Sequence, residues 1–544
     1  MKGVPDGPVD MICPGKRVET PVDPERLEYH LSYIGYPKEK TEYLVNGFKY
    51  GFRLNHEGDP VDLLAENSKN AEAHPEVIEK KLASELGKGR IAGPFRKKPF
   101  DCFQVSPLNI REKSVKNTFR LIHDLSYPYN SDSVNAKIPQ SEKSVKYSTV
   151  RDAVRTLADL PKGVYLAKCD IADAYRIVPI HPDDYPKLGM RYKGRFYYDK
   201  YLPQGCGSSC KIFEEFSTAL QAIFQFYYPS ANVQHMIDDF LFMALTRAAC
   251  QSLLDGFDWL CKDIGVPLAP EKTTKPATWV VFLGILLDSV ARTASLPLDK
   301  VKNYAEDIQN HLEAKKLTRK QLESIVGKLS FAASVVPARP FLFRLTKRIY
   351  SVKQPWHWVK VTREMRRDLE TWLFFLKNHN GITLFRSLRV TPSDAINMAS
   401  DASGQGLGAC YGSQWIQAAY PVRWRKYHIT FLEMYPIYVL IAMFGHLLKN
   451  STIRFLCDNE AVVNIINAQS TRCPSVMTIV RPLTMKLVEH NIFLSALHIP
   501  GKSNVVPDLI SRFQVTREIL LKHGMNLKPT PIPNHLLPRN FVVR

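Results

Sequence analysis

Val164-Tyr165-Leu166-Ala167-Lys168-Cys169-Asp170 reads as a buried strand that ends on an acid, and Ile171-Ala172-Asp173-Ala174-Tyr175 follows it directly. Further on, Gln234-His235-Met236-Ile237-Asp238-Asp239-Phe240-Leu241-Phe242-Met243 sets two adjacent acids between two apolar runs. A tight β-hairpin with carboxylates at its tip requires that pattern. Neighbouring carboxylates repel each other, and their simplest joint use is to hold divalent cations. Mg²⁺ prefers a few carboxylates, water and substrate phosphate oxygens to an all-protein cage.

Other motifs stand around these two in a fixed order. Upstream is Phe119-Arg120-Leu121-Ile122-His123-Asp124-Leu125-Ser126, followed by Ser133-Val134-Asn135. Between the acid motifs lies Leu202-Pro203-Gln204-Gly205-Cys206-Gly207-Ser208-Ser209, and beyond them Pro270-Glu271-Lys272-Thr273 and Phe282-Leu283-Gly284-Ile285-Leu286-Leu287-Asp288. Five motifs in this order resemble a reverse transcriptase, over about residues 86–290. The resemblance implies a right-hand polymerase of fingers, palm and thumb. It also implies two Mg²⁺ ions, or Mn²⁺, roughly 3.5–4 Å apart, serving a primer 3′-hydroxyl and a departing pyrophosphate.

By the same resemblance, Asp170 and Asp238 are the principal metal ligands, with Asp239 beside them and the carbonyl of Ile171 completing one shell. Tyr175 then sits under the sugar of the incoming dNTP, where its ring would clash with a ribose 2′-hydroxyl. Gln204 and Gly205 lie against the nascent pair and template, Gly allowing close backbone approach. Arg120 grips the triphosphate, assisted by Arg111 or Lys113, and Lys272 stands near the pyrophosphate. One position departs from the family: two residues before Asp238, where an aromatic is usual, this chain has Met236. A flexible Met fills similar space, so altered primer contact is expected without loss of metal binding.

A second set of acids follows. Ser400-Asp401-Ala402-Ser403-Gly404-Gln405-Gly406 puts an acid at a strand end before a Gly-rich turn, Glu433 falls on a helix, and Asp458 ends the strand Ile453–Cys457. Asp508 sits in Pro507-Asp508-Leu509-Ile510-Ser511-Arg512. In this order they resemble the Asp-Glu-Asp-Asp set of a retroelement RNase H, over about residues 393–515. That resemblance implies four ligands for two further ions and cleavage of the RNA strand of an RNA·DNA hybrid. Where cellular relatives carry a catalytic His, the loop Pro500-Gly501-Lys502-Ser503-Asn504 has Lys502. His498, on the preceding strand, is expected to pack there.

The 544 residues predict several folded units. They are 45% hydrophobic and 23% charged, which excludes a largely disordered or fibrous chain. Lys and Arg number 73 against 53 Asp and Glu, a formal +20, and an excess of that size favours a polyanionic partner such as nucleic acid. The ten Cys include no CxxC pair, so no zinc ribbon or knuckle is expected and an intracellular setting is. The apolar stretch Met434–Leu448 is short for a bilayer and reads as a buried helix, so no membrane partner is expected.

The expected organisation is α+β and α/β, multidomain: residues 1–85 without recognisable chemistry, 86–290 fingers and palm, and 291–392 a helical thumb and connection. An RNase H-like α/β domain over 393–515 and a Pro-rich tail over 516–544 complete it. The amphipathic helices Lys300–Leu312 and Thr318–Ala332 would contact duplex phosphates without reading sequence.

The partners implied are an RNA template, a DNA primer, RNA·DNA hybrid and dNTPs. Leu44-Val45-Asn46-Gly47-Phe48, Gly93-Pro94-Phe95, Asp124-Leu125-Ser126 and His498-Ile499-Pro500-Gly501 together resemble the DIRS-like retrotransposons, which use a tyrosine recombinase. The other reading is a decayed or host-retained copy that only binds nucleic acid, though intact acids at both sites argue against decay.

Overall fold

The computed structural model describes residues 16–112, 119–380, 390–501 and 504–543. They form two compact units: one runs to Ala153 and resumes over Gly163–Leu283, and the other joins Val154–Lys162 to Gly284 onward.

In the first unit, strands β1 (Leu108–Glu112) and β2 (Phe119–His123) form a hairpin. A four-stranded antiparallel sheet follows, built from β3 (Tyr165–Asp170), β4 (Asn232–Met236), β5 (Asp239–Ala244) and β6 (Thr274–Ala277), in the order β6-β3-β5-β4. Helices α1 (Ser209–Tyr227) and α2 (Arg247–Ile264) pack on it. The apolar residues of α1 that recur at helical spacing, among them Ile212, Phe213, Phe216, Leu220 and Phe224, are the buried ones. Rings of Phe224, Phe240, Phe242 and Phe257 close the layer between sheet and helices.

The N-terminal segment, silent in the sequence, braces this layer. Phe48 lies 4.7 Å from Phe216, and buried His30 binds both Asp263 (2.7 Å) and the Tyr227 hydroxyl (2.8 Å). Gly51 has φ +94°, and a Cβ there would fall 2.4 Å from the His181 nitrogen. Only glycine lets Phe52 bond the backbone at Pro179 and His181.

The second unit begins with helices α3 (Leu298–Glu313), α4 (Arg319–Ala332), α5 (Phe343–Ile349) and α6 (Arg363–Asn378). Between them a short ribbon pairs β7 (Lys316–Thr318) with β8 (Trp358–Lys360). An α/β part follows. Strands β9 (Val390–Pro392), β13 (Thr452–Cys457) and β14 (Phe493–His498) run parallel, and β10 (Ala399–Ala402), β11 (Gly406–Tyr411) and β12 (Gln414–Ala419) run antiparallel. Strand β10 passes beside β13. Helices α7 (Ile429–Phe444), α8 (Glu460–Ala468), α9 (Pro474–Glu489), α10 (Val505–Ser511) and α11 (Arg517–Lys522) complete it.

Helix α7 with the turn after it is long and apolar enough to cross a membrane by composition, yet 78% of that window is buried in the unit. It is a core helix, apolar on every side because every side is covered.

The structure departs from the sequence reading in three places. The strand that leads into Asp401, which the sequence pattern places at Ile396–Ser400, starts instead at Ala399, because Ser393–Ile396 is a 3₁₀ turn and Asn397 has φ +47°. Helix α9 was not foreseen, since Pro482 lies inside it; Val476, Met477, Ile479, Val480 and Leu483 bury its face and outweigh the missing N–H. The stretch 516–543, expected as a tail, is packed. Leu520, Met525 and Leu536 are buried, Trp415 donates to the Asn526 carbonyl (2.7 Å), and Tyr435 to that of Leu536 (3.0 Å).

Two candidate carboxylate sites

In the first unit the paired register sets Asp239 opposite both Asp170 on β3 and Met236 on β4. Ile237 and Asp238 therefore form a two-residue turn, with Ile237 at φ +58°, as the adjacent acids between apolar runs predict. Ile171 N–H bonds the Asp238 carbonyl (2.9 Å), tying the end of β3 to that turn. All three acids thus sit at adjoining strand ends.

Burial, and then the neighbouring Asp170, push the Asp238 carboxyl up. Asp239 rises to about 6, chiefly through burial, against the pull of the Lys168 ammonium. Lys168 Nζ stands 3.5 Å from Asp239, and Lys272 Nζ 2.6 Å from Asp170 Oδ1. Asp239 Oδ1 is buried with no hydrogen-bond partner. A buried, unpaired carboxylate oxygen beside two further acids is a donor set suited to a hard divalent cation.

The neighbouring residues surround this edge. The Tyr175 hydroxyl lies 3.1 Å from Cys210 Sγ and its ring packs edge-on to Phe213. Gly205 has φ +122°, and a Cβ there would lie 2.4 Å from the His123 carbonyl oxygen. Asn135, which the sequence shows only as part of a motif, holds the loop: its amide donates to the Gly205 carbonyl (2.8 Å), and its side-chain oxygen accepts from Gly207 N–H (2.7 Å). Gln204 is exposed beside it. Arg111 and Arg120 are exposed and directly opposite each other across the β1–β2 hairpin. Like charges in that relation cost stability, and an anion between them would offset that cost. Lys113 lies outside the described residues.

In the second unit Asp401, Glu433 and Asp458 bring one carboxylate oxygen each within 4.8 Å of one another. Asp401 comes from β10, Glu433 from α7, and Asp458 follows β13. Burial, then repulsion from Asp401 and Asp458, pushes Glu433 up to about 9. Asp401 is raised by burial, and the Ser511 hydroxyl, donating to its Oδ2 at 2.6 Å, pulls it back. Asp458 Oδ1 is buried and unpartnered.

Asp508, on α10, is not part of that tight group; its Oδ1 accepts from Arg512 Nε at 2.8 Å. Ser511 and Arg512 were visible in the sequence but not as partners of Asp401 and Asp508. His498 is exposed among the described residues instead of packed, and its ring nitrogen reaches the Asp458 carbonyl at 3.2 Å. Lys502 is outside the described residues.

Residues 107–287 match the family described as reverse transcriptase (RNA-dependent DNA polymerase). That stretch is similar to reverse transcriptase domains. Among curated proteins, the chain is 23% identical over 423 residues to the genome polyprotein of Petunia vein clearing virus, covering 74% of this chain and 17% of the relative. It is 24% identical over 253 residues to the Gag-Pol polyprotein of avian reticuloendotheliosis virus, covering 43% and 21%. To the Pro-Pol polyprotein of feline foamy virus it is 28% identical over 182 residues, covering 33% and 14%. The chain thus spans a minor part of each polyprotein. A foamy viral protease-reverse transcriptase solved with double-stranded DNA aligns at a TM-score of 0.48 and 17% identity, over 88% of this chain and 82% of that one.

Proposed function

We propose that the chain is an RNA-directed DNA polymerase of a retroelement that also cleaves the RNA strand of RNA·DNA hybrids. The observation that carries the reading is the strand-end set Asp170, Asp238 and Asp239, with its unpartnered buried oxygen, inside the stretch that matches the reverse transcriptase family. Asp401, Glu433 and Asp458 support the second activity, with Asp508 beside them. Bound at each site, two divalent cations, Mg²⁺ or Mn²⁺, would polarise the attacking oxygen and neutralise charge on the leaving group.

The chain's own residues do the rest. Asp170, Asp238 and Asp239, with the Ile171 carbonyl, hold the reacting phosphate's counterions at the sheet edge. Arg120 and Arg111 clamp the triphosphate, and Lys272 leaves Asp170 to meet the pyrophosphate. The Tyr175 ring excludes a 2′-hydroxyl, selecting dNTPs, while Gln204 and Gly205 back the nascent pair. At the second site Ser511 and Arg512 orient Asp401 and Asp508. The substrates are then an RNA template, a DNA primer and their hybrid, inside a cell. Fingers and palm take residues 86–290, a thumb and connection 291–392, and an RNase H-like domain 393–515. Among retroelements the DIRS-like group, with its tyrosine recombinase, fits the motifs best.

The test is primer extension by the purified chain on RNA with dNTPs and Mg²⁺ or Mn²⁺, while labelled template is followed. Extension with template degradation is expected. Tight, salt-sensitive hybrid binding with neither activity would refute the reading in favour of a protein that only binds nucleic acid.

A further inference from the structure

The ribbon β7–β8 places Lys316 directly opposite Lys360 and Thr318 opposite Trp358. Leu317 and Val359 turn inward and are buried, so Lys316, Trp358 and Lys360 share the outer face. Trp358 is 63% exposed, Trp356 68% and Tyr350 80%. Single exposed rings occur elsewhere on the molecule, but here three fall within nine residues of one another in the chain, and it is clustering that marks an interaction surface.

The surroundings are strongly basic. Residues 314–322 and 350–362 contain Lys315, Lys316, Arg319, Lys320, Lys353 and Lys360 and no acid, although Glu313, Glu323 and Glu364 flank them and Arg319 pairs with Glu323 at 2.7 Å. Lys316, Lys320, Lys353 and Lys360 are exposed. Two ammonium groups facing each other across a ribbon cost stability in the free protein, a cost that a bridging anion removes. Nor is the segment loose. Arg319 N–H donates to the His357 carbonyl and Lys320 N–H to that of Pro355, both at 2.9 Å, while the Arg319 side chain donates to the Val352 carbonyl at 3.0 Å. Beyond Tyr350, Ser351 joins Arg344, Lys347, Arg348, Arg481 and Glu364 in lining a cavity of about 390 Å³, where Arg344 and Arg481 are offset by Asp368 and Lys347 and Arg348 carry the positive charge.

We infer that this face is a binding platform for single-stranded nucleic acid, on which unpaired bases stack against Trp356, Trp358 and Tyr350 while Lys316, Lys320, Lys353 and Lys360 hold the phosphates. A duplex hides its base faces in its own stack, so projecting rings engage only an unpaired strand. The inference goes beyond the polymerase reading and needs neither carboxylate site.

The experiment uses the full chain in EDTA, saturated with an unlabelled RNA·DNA hairpin, and follows the fluorescence anisotropy of a labelled 12-nucleotide oligo-uridine. The double variant W356A/W358A is expected to weaken oligo-uridine binding by about tenfold or more. Hairpin affinity, measured separately, should hold within about twofold, and W356F/W358F should recover most of the loss because a phenyl ring still stacks. K316A/K360A should flatten the salt dependence of oligo-uridine binding by about 1.4 in log–log slope. Because it removes a like-charge pair, this variant should also melt no lower than the parent, which separates lost contact from lost fold. Unchanged oligo-uridine binding in W356A/W358A, or equal loss for oligo-uridine and hairpin, would overturn the inference. So would tight binding of phosphatidylserine vesicles abolished by W356A/W358A alongside weak oligo-uridine binding, since that would make the face a membrane contact.

Discussion

The two carboxylate sites solve the same electrostatic problem in different ways. In the first unit two of the three crowded acids have a lysine of their own, Lys272 on Asp170 and Lys168 on Asp239, while Asp238 feels both ammonium groups only at longer range. In the second unit no ammonium or guanidinium forms an ion pair with Asp401, Glu433 or Asp458 among the described residues; Arg512 pairs with Asp508 and reaches Asp401 only through its longer-range charge. The consequence appears in the protons. Asp239 is lifted to about 6, whereas Glu433, deeper and facing two other acids, is lifted to about 9. The first site's charge is partly offset by side chains that can move aside for a substrate. The second lowers its charge by holding a proton on Glu433, which a cation must displace.

Separate substitutions should therefore cut the molecule's chemistry in two, and this is the largest effect expected. Asp238→Asn should lower primer extension by about 10²–10³-fold or more while leaving hybrid cleavage intact, and Asp458→Asn should do the reverse. Extension and cleavage assays on one hybrid substrate read both. If either variant abolished both activities, the sites would not be independent.

Next in size is the proton on Glu433. Its native pKa of about 9 lies above its ordinary 4.5, so the folded state binds the proton more tightly than the unfolded one. This contribution to stability is full below 4.5 and is lost as pH rises toward 9. In EDTA, Glu433→Gln should raise the melting temperature at pH 9 by several degrees relative to the parent, at about 2–4 °C per kcal/mol relieved. At pH 5 the two should melt together. Added Mg²⁺ should close the gap at pH 9 by stabilising the parent alone, whereas a gap equal at both pH values would mean that the proton is not the cause.

How much of this was legible in the sequence follows from how local each feature is. A strand that ends on Asp170 and a two-residue turn at Ile237-Asp238 are written in alternation and adjacency, so hairpin, acids and register could be read directly. Gly205 was legible only through its place in the Leu202–Ser209 motif; the φ and the His123 carbonyl that demand glycine there appear in the structure alone. Lys168 was not. It sits in a strand like any half-buried lysine, and its partner is 71 residues away. Ser511 lies 110 residues from Asp401, and the packing of 516–543 depends on Trp415 and Tyr435, which nothing near those prolines announces. Long-range pairs of ordinary residues leave no periodic trace.

Those unforeseen partners supply the smaller tests. Ser511→Ala removes a buried charge-assisted hydrogen bond from Asp401, and hybrid cleavage should fall by about tenfold, from a loss of about 1.5 kcal/mol. More Mg²⁺ should be needed for half-maximal rate, and Ser511→Thr should restore part of it; a lower melting point with an unchanged Mg²⁺ requirement would reduce Ser511 to a packing role.

The least effect is expected from Lys168→Met, and it sharpens the contrast most. Burial raises the Asp239 carboxyl and the Lys168 ammonium holds it down. Without that ammonium the protonated form persists to higher pH, so the acid limb of the extension profile should move upward by about half a unit, a free-energy change under about 1 kcal/mol. Above that limb the rate should stay close to the parent's. A shift in the opposite direction would mean that Lys168 obstructs the site, and the comparison would then be between a blocked centre and an open one.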